Sequence, residues 1–234
     1  MFKNKKLYFV RVLIFCTFIL LFCVNAKTSN EEKERISNAT DVLTQLLDTP
    51  DKSVPKDILD KCECMIVIPS VKKGAFVFGG QYGKGLATCR TSPSGWSAPI
   101  FFSLKGGSFG LQIGGQSIDL VLLVMNDKGV NSLLRNKFTL GADASVAAGP
   151  VGRATSAETD AALKAEILAY SRTQGVFAGL SLKGSSLKPD KEANLGLYGK
   201  QISPKEILVS NSIDVPQETM AFIDLLNKRS PKKE

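Results

Sequence analysis

Apolar positions recur at helical spacing near the two ends of the chain and fall into short runs between glycines in its middle. Ile36, Ala39, Leu43, Leu46 and Leu47 follow a 3.6-residue period and are backed by Glu34, Asn38, Asp41 and Gln45. This spacing predicts an amphipathic helix, opened by Ser29 and Glu32 as a capping box. Its polar face is acidic or neutral rather than lysine-rich, which favours packing on a sheet over lying in a membrane interface. Pro50 and Pro55 punctuate, a short helix is expected around Lys56 to Lys61, and the β-branched run Cys64 to Ile68 predicts a buried strand ended by Pro69.

From Gly74 to Leu123 short apolar segments alternate with glycines: Ala75 to Phe78, Leu86 to Arg90, Ala98 to Leu104, Ser108 to Ile113 and Asp119 to Val124. Such a pattern predicts a largely antiparallel sheet, with the glycines marking bulges or close backbone approach. Asp127 is placed to cap a short helix that turns Val130, Leu133 and Leu134 inward. Gly141 to Ser186 is dominated by small residues, and Gly149-Pro150-Val151-Gly152 within it is barred from a helix interior. Ile167 to Ser171 and Val176 to Leu182 predict a hairpin around the loop Arg172-Thr173-Gln174-Gly175. Lys188 to Asn194 then reads as a surface loop and Leu195 to Ile202 as a last strand. Asp214 with Gln217 opens a C-terminal helix carrying Phe222, Ile223, Leu225 and Leu226.

The expected fold is therefore a single α+β domain, a mainly antiparallel, glycine-rich sheet or partly closed barrel with flanking helices at both ends. A length of 234 residues with 44% hydrophobic composition suits one core. Residues 1–26 have the parts of a secretory signal: Lys3, Lys5, Lys6 and Arg11, the apolar run Val12 to Val24, and Val24-Asn25-Ala26 as a cleavage site. The domain then occupies 27–234, with 228–234 as a basic tail, and the product is exported, periplasmic or secreted, and peripheral on a membrane. An uncleaved anchor is the alternative, although the apolar run is shorter than the ~20 residues a spanning helix needs.

Charge and cysteine narrow the function. The formal net charge is +8, but four of those cations lie in the acid-free leader, leaving about +4 for the domain. Scattered Asp and Glu argue against a dedicated nucleic-acid binder, while an anionic membrane surface stays compatible. Beyond the leader remain Cys62, Cys64 and Cys89, so one internal disulfide is possible, Cys62 or Cys64 with Cys89; the alternative is three buried free thiols. No metal site is expected, because zinc takes four Cys or His ligands and the chain has no histidine.

No catalytic constellation is found. Gly106-Gly107-Ser108-Phe109-Gly110 matches the G-x-S-x-G pattern, yet that serine needs a base no histidine can supply. Ser70 with Lys73 and Ser185 with Lys188 have the S-x-x-K spacing but sit beside Pro69 and Gly184, not on a helix. Gly83-Lys84-Gly85 lacks the spacing of a phosphate loop and reads as a tight turn. A serine hydrolase is thus disfavoured, and no cofactor is implied. What remains is a set of cations expected at turns: Lys72, Lys73, Lys84, Arg153 and Arg172, candidates for an anionic headgroup. For the two arginines, pairing with a carboxylate such as Asp143 or Asp160 is the structural alternative. Trp96 suits either the core or a membrane interface.

The stretches GADASVAAGPVGR (141–153), AYSRTQGVFAGLSLKGS (169–185) and GWSAPIFF (95–102) resemble the signature of the SYLF domain family. The resemblance runs from about Ile36 to Tyr198 and includes IPS (68–70), GKG (83–85), WSAP (96–99), GPVGR (149–153) and YSR (170–172). It implies binding of membrane lipid, with actin binding in fungal members, and bacterial members look like exported single-domain proteins. An exported product meets no cytoplasmic actin, so actin binding ranks behind lipid, and a structural or protein-interaction module of the envelope is the other alternative. The expected function is a non-enzymatic, exported protein that binds anionic, phosphoinositide-like headgroups. N-terminal sequencing of the exported product is expected to begin at Lys27; an intact Met1 would refute cleavage.

Overall fold

In the computed structural model the described residues are 30–48, 54–75, 78–91, 95–109, 114–151, 164–173, 176–179, 182–210 and 212–231. Helix α1 spans 30–48 and α2 Lys56–Lys61. Four long strands follow, β1 Cys64–Ala75, β2 Phe78–Cys89, β3 Ile100–Phe109 and β4 Gly114–Val124. Next come α3 Asp127–Leu133, β5 Phe138–Thr139, β6 Val146–Ala148, β7 Ile167–Thr173, β8 Val176–Gly179 and β9 Ser186–Pro189. The described chain closes with α4 Lys191–Tyr198, α5 Pro204–Leu208, a 3-10 turn Gln217–Thr219 and α6 Met220–Arg229. The nine strands form one sheet in the order β5-β9-β3-β2-β1-β4-β7-β6, with β8 also on β7. Every pairing is antiparallel except β6 with β7. The class is α+β, as the sequence pattern predicts.

Both faces of the sheet are buried, and strand alternation sorts the side chains between them. Met65, Val67, Leu86, Phe101, Val121, Leu123 and Tyr170 pack against the helices, with Ile36, Leu43 and Leu46 of α1 and Phe222 and Leu226 of α6. Ile66, Ile68, Phe102, Leu104, Leu120 and Leu122 face the opposite side, where Leu133, Phe138, Leu187 and Leu208 close over them. The stripe on α1 is therefore core: Ala39 and Leu43 are fully buried.

Several expected boundaries are corrected. Pro69 does not end β1, and Gly83 and Gly85, expected at a tight turn, lie inside a strand. β1 instead bulges: its register slips by one residue between Val67 and Lys72 against β2 and between Ile68 and Val71 against β4. Ser70 takes φ 51 there, a left-handed conformation costly for a residue with a side chain. Gly83-Lys84-Gly85 is no turn but the middle of β2, opposite that bulge. A Cβ at Gly83 would come 2.7 Å from Val71 Cγ2, and one at Gly85 would overlap the Val67 carbonyl. Leu195 to Ile202 is not a strand, nor Lys188 to Asn194 a loop. Asp190 caps α4 by accepting from Ala193 N, and Gly199 ends it at φ 66, the cap pair that sets a helix here. The hairpin β7–β8 is present, with Arg172 and Thr173 inside β7.

Cys64 and Cys89 are register partners and form a disulfide, while Cys62 is buried and free. The Cys62 thiol donates to Leu59 O at 3.2 Å, and burial pushes its pKa up to about 12. Trp96 belongs to the core, its Nε1 donating to Ser230 O at 3.0 Å and its ring under Arg90. The tyrosine of YSR meets the glycine of GPVGR: Tyr170 is buried, and a Cβ at Gly149 would overlap its ring. Gly85→Ala is expected to cost at least the ~1–3 kcal/mol of an overpacked site, because backbone must move. Gly74→Ala, whose Cβ would meet nothing within 4 Å, should leave Tm nearly unchanged. Equal thermal melts for the two variants would show that the bulge does not need the glycine.

Candidate functional site

The bulge decides which way the lysines of β1 face. Val71 stays on the opposite side with Ile68, so alternation turns Lys72 to the face of α1 and α6, the helix face, and Lys73 to the opposite one. Lys72 pairs in register with Tyr82, and Tyr82 with Lys105. These three and Lys84 thus share the helix face, just beyond the first turns of α1. Tyr82 is 42% exposed, and Lys105 Nζ lies 5.5 Å from its ring centroid, a cation–π distance. A shallow groove of about 260 Å³ runs between α1 and this row, lined by Glu31, Arg35, Ser70, Lys72, Tyr82 and Lys84.

The five sequence candidates do not all converge. Lys72, Lys84 and Arg172 lie on the helix face, Lys73 on the other, and Arg153 lies outside the described residues. Lys84 stands in a strand rather than at a loop tip, bound to Glu31 Oε1 at 2.9 Å and 3.7 Å from Asp190 Oδ2. Arg35, missed by the sequence reading, joins the cluster: it is buried, pairs with Asp190 at 3.1 Å and Glu31 at 3.4 Å, and lies over Phe101. Arg172 pairs with Asp119, its Nε 2.9 Å from Oδ2, while Asp160 lies outside the described residues. Asp119 Oδ1 also accepts from Ser70 N at 2.9 Å, so Arg172 braces the bulge. Lys72 and Lys105 make no ion pair among the described residues.

Sequence and structure together expose a charge asymmetry. Between Glu63 and Asp119 the chain has no acidic residue, and carries Lys72, Lys73, Lys84, Arg90 and Lys105. Arg90 is structural, its guanidinium donating to the carbonyls of Cys62, Leu59 and Ser230. Lys72, Lys73 and Lys105 lie toward the other end of the strands, and Lys84 stands at mid-strand. Lys105 was legible only through its register with Tyr82, which the glycine-as-turn reading concealed.

The groups around α1 respond to this field. The hydrogen bond from Lys84, then its charge, holds the Glu31 carboxyl below its ordinary value; the same bond raises Lys84. Burial lowers Lys73. Ser185 Oγ accepts from Gln81 Nε2 and is buried, while Ser70 is exposed at the bulge; no base faces either among the described contacts. The side chain of Ser108 lies outside the described residues.

An α+β protein with a double-buried sheet and a cationic, aromatic row at one end is the class these features define. The chain belongs to the Ysc84 (SYLF) family: the family model described as "Las17-binding protein actin regulator" matches residues 105–229. Protein YSC84 of Saccharomyces cerevisiae is 32% identical over 183 residues, 77% of this chain and 39% of that protein. SH3 domain-containing YSC84-like protein 1 of Rattus norvegicus is 32% identical over 188 residues, 79% of this chain and 54% of that one. An SH3 domain-containing protein of Schizosaccharomyces pombe is 32% identical over 205 residues, 84% and 47%. The chain spans about half the length of these relatives or less.

Glu32 supplies a test of the cluster. It is 6% exposed, and burial raises its pKa, with Asp190 and Glu31 adding to the rise and Arg35 and Lys84 opposing it. A raised carboxyl makes the fold bind protons more readily than the unfolded chain, so this residue's penalty is fully present above its folded pKa and fades as pH falls toward the unfolded value. Glu32→Gln is therefore expected to raise Tm at pH 7, with the advantage narrowing on acidification toward pH ~4.5. A constant difference across that window would show that Glu32 carries no such penalty.

Proposed function

We propose that the protein binds an anionic lipid surface through the row of Lys72, Tyr82, Lys84 and Lys105, without catalysis. The observation that carries this reading is the acid-free span between Glu63 and Asp119, whose Lys72, Lys73 and Lys105 gather toward one end while Lys72 and Lys105 lack ion pairs among the described residues. A domain charge of about +4 is too small to hold a membrane by bulk attraction, so local clustering is the physical route. Each lysine near an anionic surface contributes about 1 kcal/mol, and the half-exposed Tyr82 suits a headgroup level. Export is part of the proposal, supported by the leader composition and by the Cys64–Cys89 disulfide, which persists in an oxidising compartment. The family description names Las17 and actin, which supports a protein partner as the second reading.

Reversing Lys72 and Lys105 to Glu should weaken co-sedimentation with phosphatidylserine vesicles by at least roughly thirtyfold, the value of two such lysines. The same reversal at Lys232 and Lys233 in the tail should do much less at equal net charge. Binding should also fall with salt, as the Debye length shrinks from about 10 Å at 0.1 M to about 3 Å at 1 M. Equal losses from both double variants, with circular dichroism unchanged, would mean that net charge rather than this row drives binding.

A further inference from the structure

Two cations of the helix face converge on one carboxylate oxygen. Arg35 Nη2 lies 3.4 Å and Lys84 Nζ 2.9 Å from Glu31 Oε1. The same pair shares a second oxygen, Asp190 Oδ2, at 3.1 Å from Arg35 Nη1 and 3.7 Å from Lys84 Nζ. The two acids are held differently. The Asp190 side chain is 15% exposed and caps α4 by accepting from Ala193 N, so the fold fixes it. The Glu31 side chain is 62% exposed, and among the described contacts only those two cations hold its carboxylate.

Glu31 therefore sets the charge of the groove between α1 and the lysine row. With it in place three cations, Arg35, Lys72 and Lys84, face three carboxylates, Glu31, Glu34 and Asp190; with it swung out they face two. Glu32, buried near Arg35, is a further acid whose ionised form burial opposes. Swinging Glu31 out takes only a side-chain rotation, and an exposed ion pair contributes little to stability. Arg35 is not orphaned when Glu31 leaves, because it keeps Asp190 and its place over the Phe101 ring. A singly charged group gains little by replacing one carboxylate with another. A phosphate monoester carries about −1.5 to −2 at neutral pH on three oxygens, so it can meet Arg35 and Lys84 with one and offer others to Lys72.

From this geometry we infer that Glu31 is a built-in competitor: its Oε1 occupies the place of a phosphate oxygen on Arg35 and Lys84, and a phosphate monoester binds the groove by displacing it. The inference rests on the lipid-binding reading and deepens it, adding Arg35 to the contact set and making Glu31 a brake on that contact. The same contacts serve a lipid headgroup and a soluble phosphate ester. Displacement leaves the rest of α1 where it is, since Ile36, Ala39, Val42, Leu43 and Leu46 are at most 5% exposed and stay in the core.

Glu31→Gln keeps the size of the side chain and removes its charge. Glu218→Gln, exposed on the 3-10 turn and outside the groove lining, changes net charge equally and is the control. Co-sedimentation with vesicles of phosphatidylcholine and phosphatidic acid, whose headgroup is a phosphate monoester, should strengthen by about threefold to fivefold in Glu31→Gln, the upper range for an exposed ion pair. Glu218→Gln should gain much less. In a Lys84→Ala background the gain from Glu31→Gln should shrink, because the pair it breaks is already gone. Calorimetry with glycerol 3-phosphate reads the same contacts without a membrane; a gain on vesicles alone assigns the groove to a lipid headgroup. Glu31→Ala replaces Glu31→Gln if circular dichroism shows that variant misfolded. Equal gains from Glu31→Gln and Glu218→Gln, or none from either, with the wild type still sedimenting, would overturn the inference and leave lipid binding through the lysine row. If no variant sediments but Glu31→Gln binds glycerol 3-phosphate more tightly than the wild type, the inference stands and the lipid reading falls. Binding of neither vesicle nor ester by any variant would overturn both.

Discussion

The extra residue at Pro69-Ser70 is the constraint on which both the core and the candidate site depend. Without it β1 would alternate unbroken, and Lys72 would follow Ile66 and Ile68 into the core on the face away from α1, at a desolvation cost. The slip of one residue keeps Val71 on that face and turns Lys72 to the other. Three devices make the slip tolerable. Gly83 and Gly85 leave room for the displaced backbone, Asp119 accepts the Ser70 N–H, and Arg172 fixes Asp119. The IPS, GKG and YSR segments therefore meet as one mechanical unit. Arg172 serves this unit, which is why its charge is better counted with the scaffold than with the lysines facing solvent.

Much of the fold was legible because its elements are long and periodic. The stripe of α1, the antiparallel strands and the β7–β8 hairpin announce themselves through alternation that burial enforces. What was lost was where each glycine falls along its strand. In β1 to β4 glycine does not mark turns; it lies in strand interiors, where Gly83 and Gly85 admit a neighbouring strand's bulge and Gly74, Gly80 and Gly107 leave a face bare. A single sequence shows the residue but not its register, so six short strands were expected where four long ones stand. The misread end of the chain has a different cause. α4 has exposed Leu195 beside buried Ala193 and Asn194, a weak stripe, and only its caps at Asp190 and Gly199 betray it.

The site was legible in kind and blurred in position. Counting cations found Lys72, Lys73 and Lys84, but a turn lysine and a strand lysine look alike in sequence. Pairing across 53 residues in Lys84–Glu31 and 155 in Arg35–Asp190 depends on α1 lying over β2 and β3, a packing fact. Those pairs consume part of the positive charge and pin the start of α1 to the cap of α4. Lys72 and Lys105, with no such partner among the described residues, keep theirs for solvent.

Burying a sheet on both faces limits where such a domain can act, because any ligand on a face must displace core. Its two ends differ accordingly. At the start of β1 the Cys64–Cys89 bridge, the Arg90 guanidinium spread over three carbonyls and Trp96 bound to Ser230 tie sheet, α2 and α6 together. Every polar group named there is answered by another, so that end has little left to offer a partner. At the other end the described strands share a row of glycines, with Lys72, Tyr82 and Lys105 in a row behind it. A fold that locks one end this thoroughly holds the other at a fixed distance and angle, as an element that must meet a surface requires. The strands themselves transmit that rigidity, since β1 runs unbroken from the disulfide through the bulge to Gly74.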